Sequence, residues 1–140
     1  GGLETVVANF VNHGDKVLVA SIGNFGERFR DIALQYGANV EFIDFGWGNG
    51  ADPAKIKTAL DADTDHEIKA IFIQHNETST AVLNPIKEVA AARGNHPALL
   101  IVDSVSGMGA ADLRTDEWGL DVVVAARKLL WRPPALPLFP

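Results

Sequence analysis

Short segments of mostly apolar residues constrain the fold of this chain more than any other feature. They predict five strands, at residues 16–20, 39–43, 69–73, 98–102 and 121–125. Strands that are apolar on both faces need cover on both faces, which is typical of a parallel sheet between two layers of helices. Right-handed crossover connections are then expected. We therefore predict an α/β fold with three layers, α/β/α, around a mainly parallel sheet.

Four segments around these strands have the signals of helices. Apolar residues recur at helical spacing over residues 3–11 and 25–36. Asp52 and Asn84 each stand directly before a proline, and such a pair favours a helix start with the first residue as the N-cap. We expect these two helices to end at about residue 60 and about residue 92.

The composition narrows the classes of function. The chain has 140 residues, of which 47% are hydrophobic, and this is enough for one α/β domain with a core. The net charge is −6 and the 12 lysines and arginines are scattered. A basic patch is the usual mark of a nucleic-acid-binding surface. We therefore expect no nucleic-acid partner.

The absence of cysteine restricts the compartment and the type of site. Without cysteine the sequence offers no disulfide and no thiolate metal site, which favours a reducing compartment. No apolar run approaches the roughly 20 residues that span a bilayer. We predict a cytoplasmic protein with no membrane partner and no metal site. An organellar targeting segment stays open, because the chain begins at Gly1 rather than at Met.

Polar, acidic and aromatic residues follow the carboxyl ends of the predicted strands. They stand at residues 21–26, 74–80, 103–107 and 127–128. In an open parallel sheet, ligands bind beyond the carboxyl ends of the strands. An acid, a lysine, an aromatic side chain and several polar groups are therefore expected at one edge.

This set of side chains suits a pyridine-ring cofactor. An acid such as Asp103 can keep the ring nitrogen protonated, so that the ring accepts electrons. A lysine such as Lys128 can supply the amine of a Schiff base. An aromatic side chain such as Phe25 can stack on the ring face. Neither a G-x-G-x-x-G segment after a strand nor a Walker-type motif is present, so a nucleotide-binding function is less favoured.

Each of these residues also has an ordinary structural interpretation. Asp103 alone is compatible with a turn or cap residue, and Lys128 alone with a solvated surface lysine. His75 could be a buried structural histidine. Phe25 could be a core residue of its helix.

Four sequence motifs occur in the order and spacing found in one enzyme family. They are Gly-Asn-Phe-Gly-Glu-Arg at 23–28, His-Asn-Glu-Thr-Ser-Thr at 75–80, Val-Asp-Ser-Val-Ser at 102–106 and Asp-Glu-Trp-Gly-Leu-Asp at 116–121. By these motifs the chain resembles the class V aminotransferases of fold type I, which depend on pyridoxal 5'-phosphate (PLP). It is most similar to their alanine–glyoxylate and serine–glyoxylate branch, and the resemblance covers residues 1–128.

The resemblance implies a role for each site residue. Asp103 would pair with the pyridine nitrogen of PLP, and Val105 and Phe25 would lie on opposite faces of the ring. Thr78 would contact the cofactor near its ring oxygen. Lys128 would form the Schiff base with the cofactor and then act as the general base.

Further residues are implied at the margins of the site. Gly1 and Gly2 would belong to the end of the loop that binds the cofactor phosphate through backbone N–H groups. His75 and Asn76 would lie near the substrate. Residues 1–130 would then be a partial PLP-binding large domain, without its N-terminal segment and without the small C-terminal domain. In relatives, that small domain supplies an arginine for the substrate carboxylate.

The chain departs from the family pattern after its last predicted strand. Relatives read Ser-Gln-Lys where this chain has Ala126, Arg127 and Lys128, so the glutamine is missing. Residues 131–140 form an atypical tail. GC-rich codons for the family's Met-Ala-Pro-Pro-Gly-Leu-Ala, read one base out of frame, encode Trp-Arg-Pro-Pro-Ala-Leu-Pro. We interpret the tail as the product of a frameshift, and a divergent proline-rich tail is the other interpretation.

The resemblance implies a transaminase that moves an amino group from a small amino acid, alanine or serine, to a 2-oxo acid such as glyoxylate. A homodimer is implied for the full-length protein, since the partner subunit completes the phosphate site in relatives. Two alternatives stay open. One is a cysteine desulfurase-like or other class V lyase, and the other is an inactive truncated fragment.

Overall fold

The computed structural model describes residues 1–126, and residues 127–140, with Lys128 and the predicted tail, lie outside the described residues. The described part has four helices and seven strands. In chain order they are α1 Gly2–Phe10, β1 Lys16–Ser21, α2 Asn24–Gln35, β2 Asn39–Asp44, α3 Pro53–Ala62, β3 Ile68–Gln74, β4 Asn76–Glu77, β5 Val82–Leu83, α4 Ile86–Arg93, β6 Leu99–Asp103 and β7 Val122–Val124.

The predicted parallel sheet is confirmed. Its five strands lie in the order β2-β1-β3-β6-β7, and all four neighbouring pairs are parallel. Helices α1 and α2 pack on one face, and α3 and α4 pack on the other. The described part is therefore the three-layer α/β/α arrangement expected from the sequence.

The run of apolar residues in the central strand β3 is explained by burial of both faces of the strand. Ile71 and Ile73 pack toward α3 and α4, whereas Ala70 and Phe72 pack toward α1 and α2. All four are completely buried. On the second face, the rings of Phe72 and Phe29 lie with their centroids 4.9 Å apart.

One predicted helix cap is confirmed and the other is wrong. The Asp52 side chain accepts a hydrogen bond from Ala54 N–H at 2.9 Å, as expected of an N-cap before α3. Asn84 does not cap α4, whose N-cap is Pro85. Its side chain instead accepts from Ala51 N–H and donates to the Gln74 carbonyl, both at 2.8 Å. The buried Asn84 side chain therefore links β3 to the loop before α3 through these two hydrogen bonds.

The segment after β3 forms a small hairpin that the sequence did not predict. β4 and β5 pair antiparallel. Between them the Glu77 carbonyl accepts hydrogen bonds from Thr80 N–H and Ala81 N–H, and Ala81 has a positive φ of 56°. The turn folds the polar segment back over the carboxyl edge of the sheet. No helix within residues 1–126 is long and apolar enough to cross a membrane.

The start of α2 lies unusually close to the end of β1. Gly26, in the first turn of α2, packs against Ser21, the last residue of β1. The contact fixes the first turn of this helix at the carboxyl edge of the sheet.

Replacing Gly26 by alanine tests this close approach. A Cβ at Gly26 would lie 2.7 Å from the Cα and 2.6 Å from the Cβ of Ser21, so the strand and the helix would have to separate. We expect Gly26→Ala to lower the free energy of unfolding by about 1–3 kcal/mol, although alanine favours helices.

Gly50→Ala is the matched control, because nothing lies within 4 Å of the added Cβ. It should change stability by less than about 0.5 kcal/mol. Urea denaturation measures both variants. Equal stabilities would contradict the close packing of α2 on β1.

Candidate functional site

The carboxyl ends of three neighbouring strands form the floor of the candidate site. Gln74 at the end of β3 pairs in register with Asp103 at the end of β6, and Asp103 pairs with Val124 at the end of β7. The loops after β1, β3 and β6 meet above this row. The acid and several of the polar groups expected at one edge of the sheet are therefore together there, and the expected lysine, Lys128, lies outside the described residues.

Asp103 is a buried carboxyl group at the centre of this edge. Only 5% of the residue is exposed, and its Oδ1 accepts a hydrogen bond from Val105 N–H at 3.0 Å. Burial raises the pKa of Asp103, the negative charge of Glu77 raises it further, and the Val105 N–H opposes both. Within residues 1–126 its Oδ2 accepts no hydrogen bond. The carboxyl group is therefore well placed to receive a cationic donor.

Hydrogen bonds between polar side chains hold the loop after β3 against the loop after β6. The residues are Asn76, Thr78 and Ser106. Asn76 Nδ2 donates to Ser106 Oγ at 2.9 Å, and Thr78 Oγ1 donates to the same oxygen at 2.7 Å. Ser106 Oγ in turn donates to the Asn76 carbonyl at 3.2 Å. Thr78 is exposed at the surface of this cluster, so its hydroxyl group is accessible to a ligand.

His75 lies beneath these loops rather than on their surface. The residue is 1% exposed, and its Nδ1 shares a hydrogen bond of 2.9 Å with Ser104 Oγ. Burial lowers the pKa of His75, while a backbone hydrogen bond and the charge of Asp112 raise it. Gly107 packs on the ring so closely that a Cβ there would overlap it. Contact of His75 with a substrate stays a prediction, and its visible role is to support Ser104.

Phe25 and Val105 are both half-buried at the same edge. Phe25 is in the first turn of α2, and its backbone N–H donates to Glu77 Oε2 at 3.0 Å. Val105 packs against the core between the sheet and helices α1 and α2. Their positions, one at the start of a helix and one in the loop after β6, are compatible with the two ring faces implied by the resemblance.

Gly1 and Gly2 stand at the exposed start of α1, beside the end of β7. A Cβ at Gly2 would lie 2.7 Å from Val124 Cγ1. Because Val124 pairs with Asp103, the N-terminus of α1 is at the same edge as the buried carboxyl group. A helix N-terminus favours an anion such as a phosphate group. Lys128, the remaining predicted site residue, lies outside the described residues.

Four further residues of this edge were not assigned from the sequence. Ser106 joins the two loops, and Glu77 and Ser79 contact the start of α2. Gln74 is completely buried, and neither polar atom of its side chain has a hydrogen-bond partner among residues 1–126. A glutamine at the end of an apolar strand was the available signal for Gln74. Glu77, Ser79 and Ser106 are part of the motifs that carry the family resemblance, but the motifs alone assigned no role to them.

Other concavities among the described residues lie away from this edge. A concavity of about 560 Å³ opens at the amino ends of β1, β2 and β3, where Lys16 and Glu41 form an ion pair of 3.1 Å. It is at the edge opposite Asp103. Among residues 1–126, no group of three or more His, Cys, Asp or Glu side chains is placed to hold a metal ion.

Comparison with known proteins identifies relatives along nearly the whole chain. The family model for aminotransferase class-V matches residues 2–130. An L-aspartate–glyoxylate aminotransferase of Paracoccus denitrificans is 42% identical over 139 residues, which cover 97% of this chain and 35% of the relative. A serine–glyoxylate aminotransferase of Methylorubrum extorquens is 43% identical over 136 residues, which cover 95% and 34% respectively.

The fold is also found among solved structures. The crystal structure of ureidoglycine–glyoxylate aminotransferase from Bacillus subtilis matches with a TM-score of 0.84 at 33% identity, over 91% of this chain and 32% of that chain. The chain therefore spans about a third of the length of the relatives that it matches.

The buried carboxyl group of Asp103 predicts a pH-dependent stability. An acid whose pKa is raised by folding costs stability in its ionised form. This cost is full above the folded-state pKa and disappears below the unfolded-state pKa of about 3.9. Asp103→Asn removes the ionisable group and keeps an oxygen for Val105 N–H. Without added ligand, we expect the variant to be more stable than wild type near neutral pH by about 1 kcal/mol.

The advantage of Asp103→Asn should shrink as the pH falls toward about 4. Thermal unfolding over this pH range measures it. Asp116→Asn, at an exposed carboxyl group, is the control and should change stability by less than about 0.5 kcal/mol. A variant that is less stable than wild type near neutral pH, with a loss that shrinks toward about pH 4, would show that the ionised carboxylate stabilises the fold.

Proposed function

This chain belongs to the class-V aminotransferase family, and we propose on that basis that the full-length protein is a PLP-dependent transaminase. It would move an amino group from a small amino acid, such as alanine or serine, to glyoxylate or a similar 2-oxo acid. The observation that carries the proposal is the buried Asp103 carboxyl group at the carboxyl edge of the sheet. Its pKa is raised, and its Oδ2 accepts no hydrogen bond from residues 1–126.

The described residues fit PLP on physical grounds. A protonated pyridine nitrogen is a cationic donor, and it would offset the cost of burying an ionised Asp103. The Thr78 and Ser106 hydroxyl groups offer partners for a ring oxygen. The start of α1 at Gly1 and Gly2 suits the phosphate group. Acid, hydroxyl and anion-binding groups thus occur together at one edge.

Bound PLP supplies an electron sink that stabilises negative charge on the substrate Cα. Asp103 would hold the proton on the pyridine nitrogen, because two opposite charges close together favour the charged form of each group. Val105 and Phe25 confine the ring from two sides and exclude water. Thr78, supported by Ser106, orients the ring oxygen. These roles are proposed for this chain from the family resemblance and from the placement of the residues.

Lys128 is proposed as the catalytic lysine. Its amine would hold the cofactor and would then move the proton at the substrate Cα as general base. Support comes from its position in the sequence, four residues after the end of β7 at Val124. Val124 pairs with Asp103, so the chain after β7 starts beside the acid.

The choice of substrate rests on the relatives. Their names share glyoxylate and differ in the amino donor, which is aspartate, serine or ureidoglycine. The shared partner supports glyoxylate as the amino acceptor of this protein. A desulfurase-like lyase would use the same acid and lysine, and no feature of residues 1–126 favours it over transamination. A cytoplasmic homodimer is proposed as well, and the lack of cysteine supports a reducing compartment.

The proposed cofactor predicts a lysine-dependent spectrum. Adding PLP to the full-length protein should give an absorbance band that free PLP lacks. Lys128→Ala should abolish this band, because no amine remains to hold the cofactor covalently. Lys87→Ala, at an exposed lysine of α4, should keep it. A band that survives in Lys128→Ala would refute the assignment of the lysine, and no band in wild type would refute the proposed function.

The proposed reaction predicts a defined product. Glyoxylate and a labelled amino donor should yield labelled glycine, with alanine, serine and aspartate compared as donors by mass spectrometry. Asp103→Asn should lower the rate by about 100-fold or more, since the ring nitrogen loses its electrostatic partner. Asp116→Asn should react like wild type. No glycine from any of the three donors would contradict glyoxylate transamination.

A further inference from the structure

Helix α2 lacks a cap of its own at the edge where the cofactor is proposed to bind. Its N-cap is Gly23, which has no side chain to accept a hydrogen bond. The first N–H groups of a helix need acceptors from elsewhere. Here they come from the loop after β3: Phe25 N–H donates to Glu77 Oε2 at 3.0 Å, and Asn24 N–H donates to Ser79 Oγ at 3.3 Å.

Glu77 is specialised for this contact. The residue is completely buried, which is costly for a carboxylate unless hydrogen bonds replace water. Its Oε1 accepts from Ser79 N–H at 3.1 Å and from Ser79 Oγ at 2.7 Å. With the bond from Phe25, both oxygens are occupied. The positive end of the α2 dipole stabilises the negative charge further.

The packing leaves no room for a local cap. A Cβ at Gly23 would lie 2.7 Å from Glu77 Cγ and 2.8 Å from Ser79 Oγ. Serine, aspartate or asparagine, the usual N-cap residues, therefore do not fit at Gly23 while Glu77 is in place. The cap must come from a residue 52 positions later in the chain than Phe25.

We propose that Glu77 is a positioning residue of the cofactor site. Its carboxylate ties the first turn of α2 to the loop after β3, and it thereby sets where Phe25 and Thr78 stand relative to Asp103. The same residue, Phe25, supplies both the N–H that Glu77 holds and the ring assigned to the cofactor. This inference rests on the proposed function, since it takes PLP as the ligand that Phe25 contacts.

A purely electrostatic role of Glu77 would change the affinity for PLP in the direction opposite to that of a positioning role. Its negative charge contributes to the raised pKa of Asp103. Removing that charge alone would favour ionised Asp103 and would leave PLP binding equal or stronger. Removing the positional contact would weaken PLP binding. The direction of the change in affinity therefore separates the two roles.

Glu77→Gln is the test variant, because it keeps the shape of the side chain. A glutamine has one oxygen and one NH₂ group in place of two oxygens, so either Phe25 N–H or Ser79 N–H faces a donor. We expect the affinity for PLP, from absorbance titration of the full-length protein, to fall about tenfold, the usual effect of one lost buried hydrogen bond. The circular dichroism band of bound PLP should change as the ring reorients.

A double-mutant cycle with Phe25→Leu shows whether Glu77 acts through the Phe25 ring. In the Phe25→Leu background, Glu77→Gln should weaken PLP binding by less than about twofold, since coupled residues are not additive. Glu88→Gln, at an exposed glutamate of α4, is the control and should bind PLP like wild type. Thermal unfolding of the same variants without PLP measures the change in fold stability separately.

Three results would overturn the proposal. They are unchanged or tighter PLP binding in Glu77→Gln, an equal loss of affinity in both backgrounds, and an unchanged dichroism band. If Glu77→Gln does not fold, Ser79→Ala replaces it in the same cycle, because it removes only the acceptor of Asn24 N–H and one donor to Glu77. Failure of wild type to bind PLP would overturn the proposed function itself, and the wild-type titration identifies that outcome.

Discussion

A carboxyl group at the end of a buried strand is costly, and the arrangement of the site follows from how this chain holds one. Asp103 ends β6, and β6 lies between β3 and β7 in the parallel sheet. That position brings the loop after β3 over the acid from one side and the chain after β7 toward it from the other. Moving β6 to the edge of the sheet would remove one of these neighbours.

Polar groups that carry a cost are concentrated at this edge. The buried polar residues at this edge are Gln74, His75, Glu77, Asp103 and Ser104, whereas the rest of the sheet is packed with apolar side chains. The side chains of His75 and Glu77 have hydrogen-bond partners. Among residues 1–126, the Gln74 side chain has none and the Asp103 side chain has one. Proteins retain such unsatisfied groups mainly where a ligand or a reaction uses them. The position of these buried polar side chains therefore identifies the functional edge of the sheet independently of any sequence motif.

The sequence predicted the parts of this architecture that depend on local pattern. The apolar runs of β3 and β6 gave the sheet, and the position of Asp103 after β6 gave the central acid. The prediction for Asn84 was wrong because the same residue type can cap a helix or bridge two loops, and only the tertiary partners Ala51 and Gln74 decide between them. The contact of Glu77 with Phe25 has no local signal, since 52 residues separate the two. The role of Lys128 stays a prediction, because it lies outside the described residues.

The fit between Gly23 and Glu77 also limits how this protein can change over evolutionary time. A serine at position 23 would restore a local cap, but it collides with Glu77 as long as the glutamate is present. Loss of Glu77 leaves Phe25 N–H without an acceptor as long as position 23 is glycine. Each single step is therefore unfavourable although the two together would restore a capped helix, which is strong epistasis between distant positions. The pair is expected to persist or to be replaced as a unit, and the geometry of the cofactor edge would change with it.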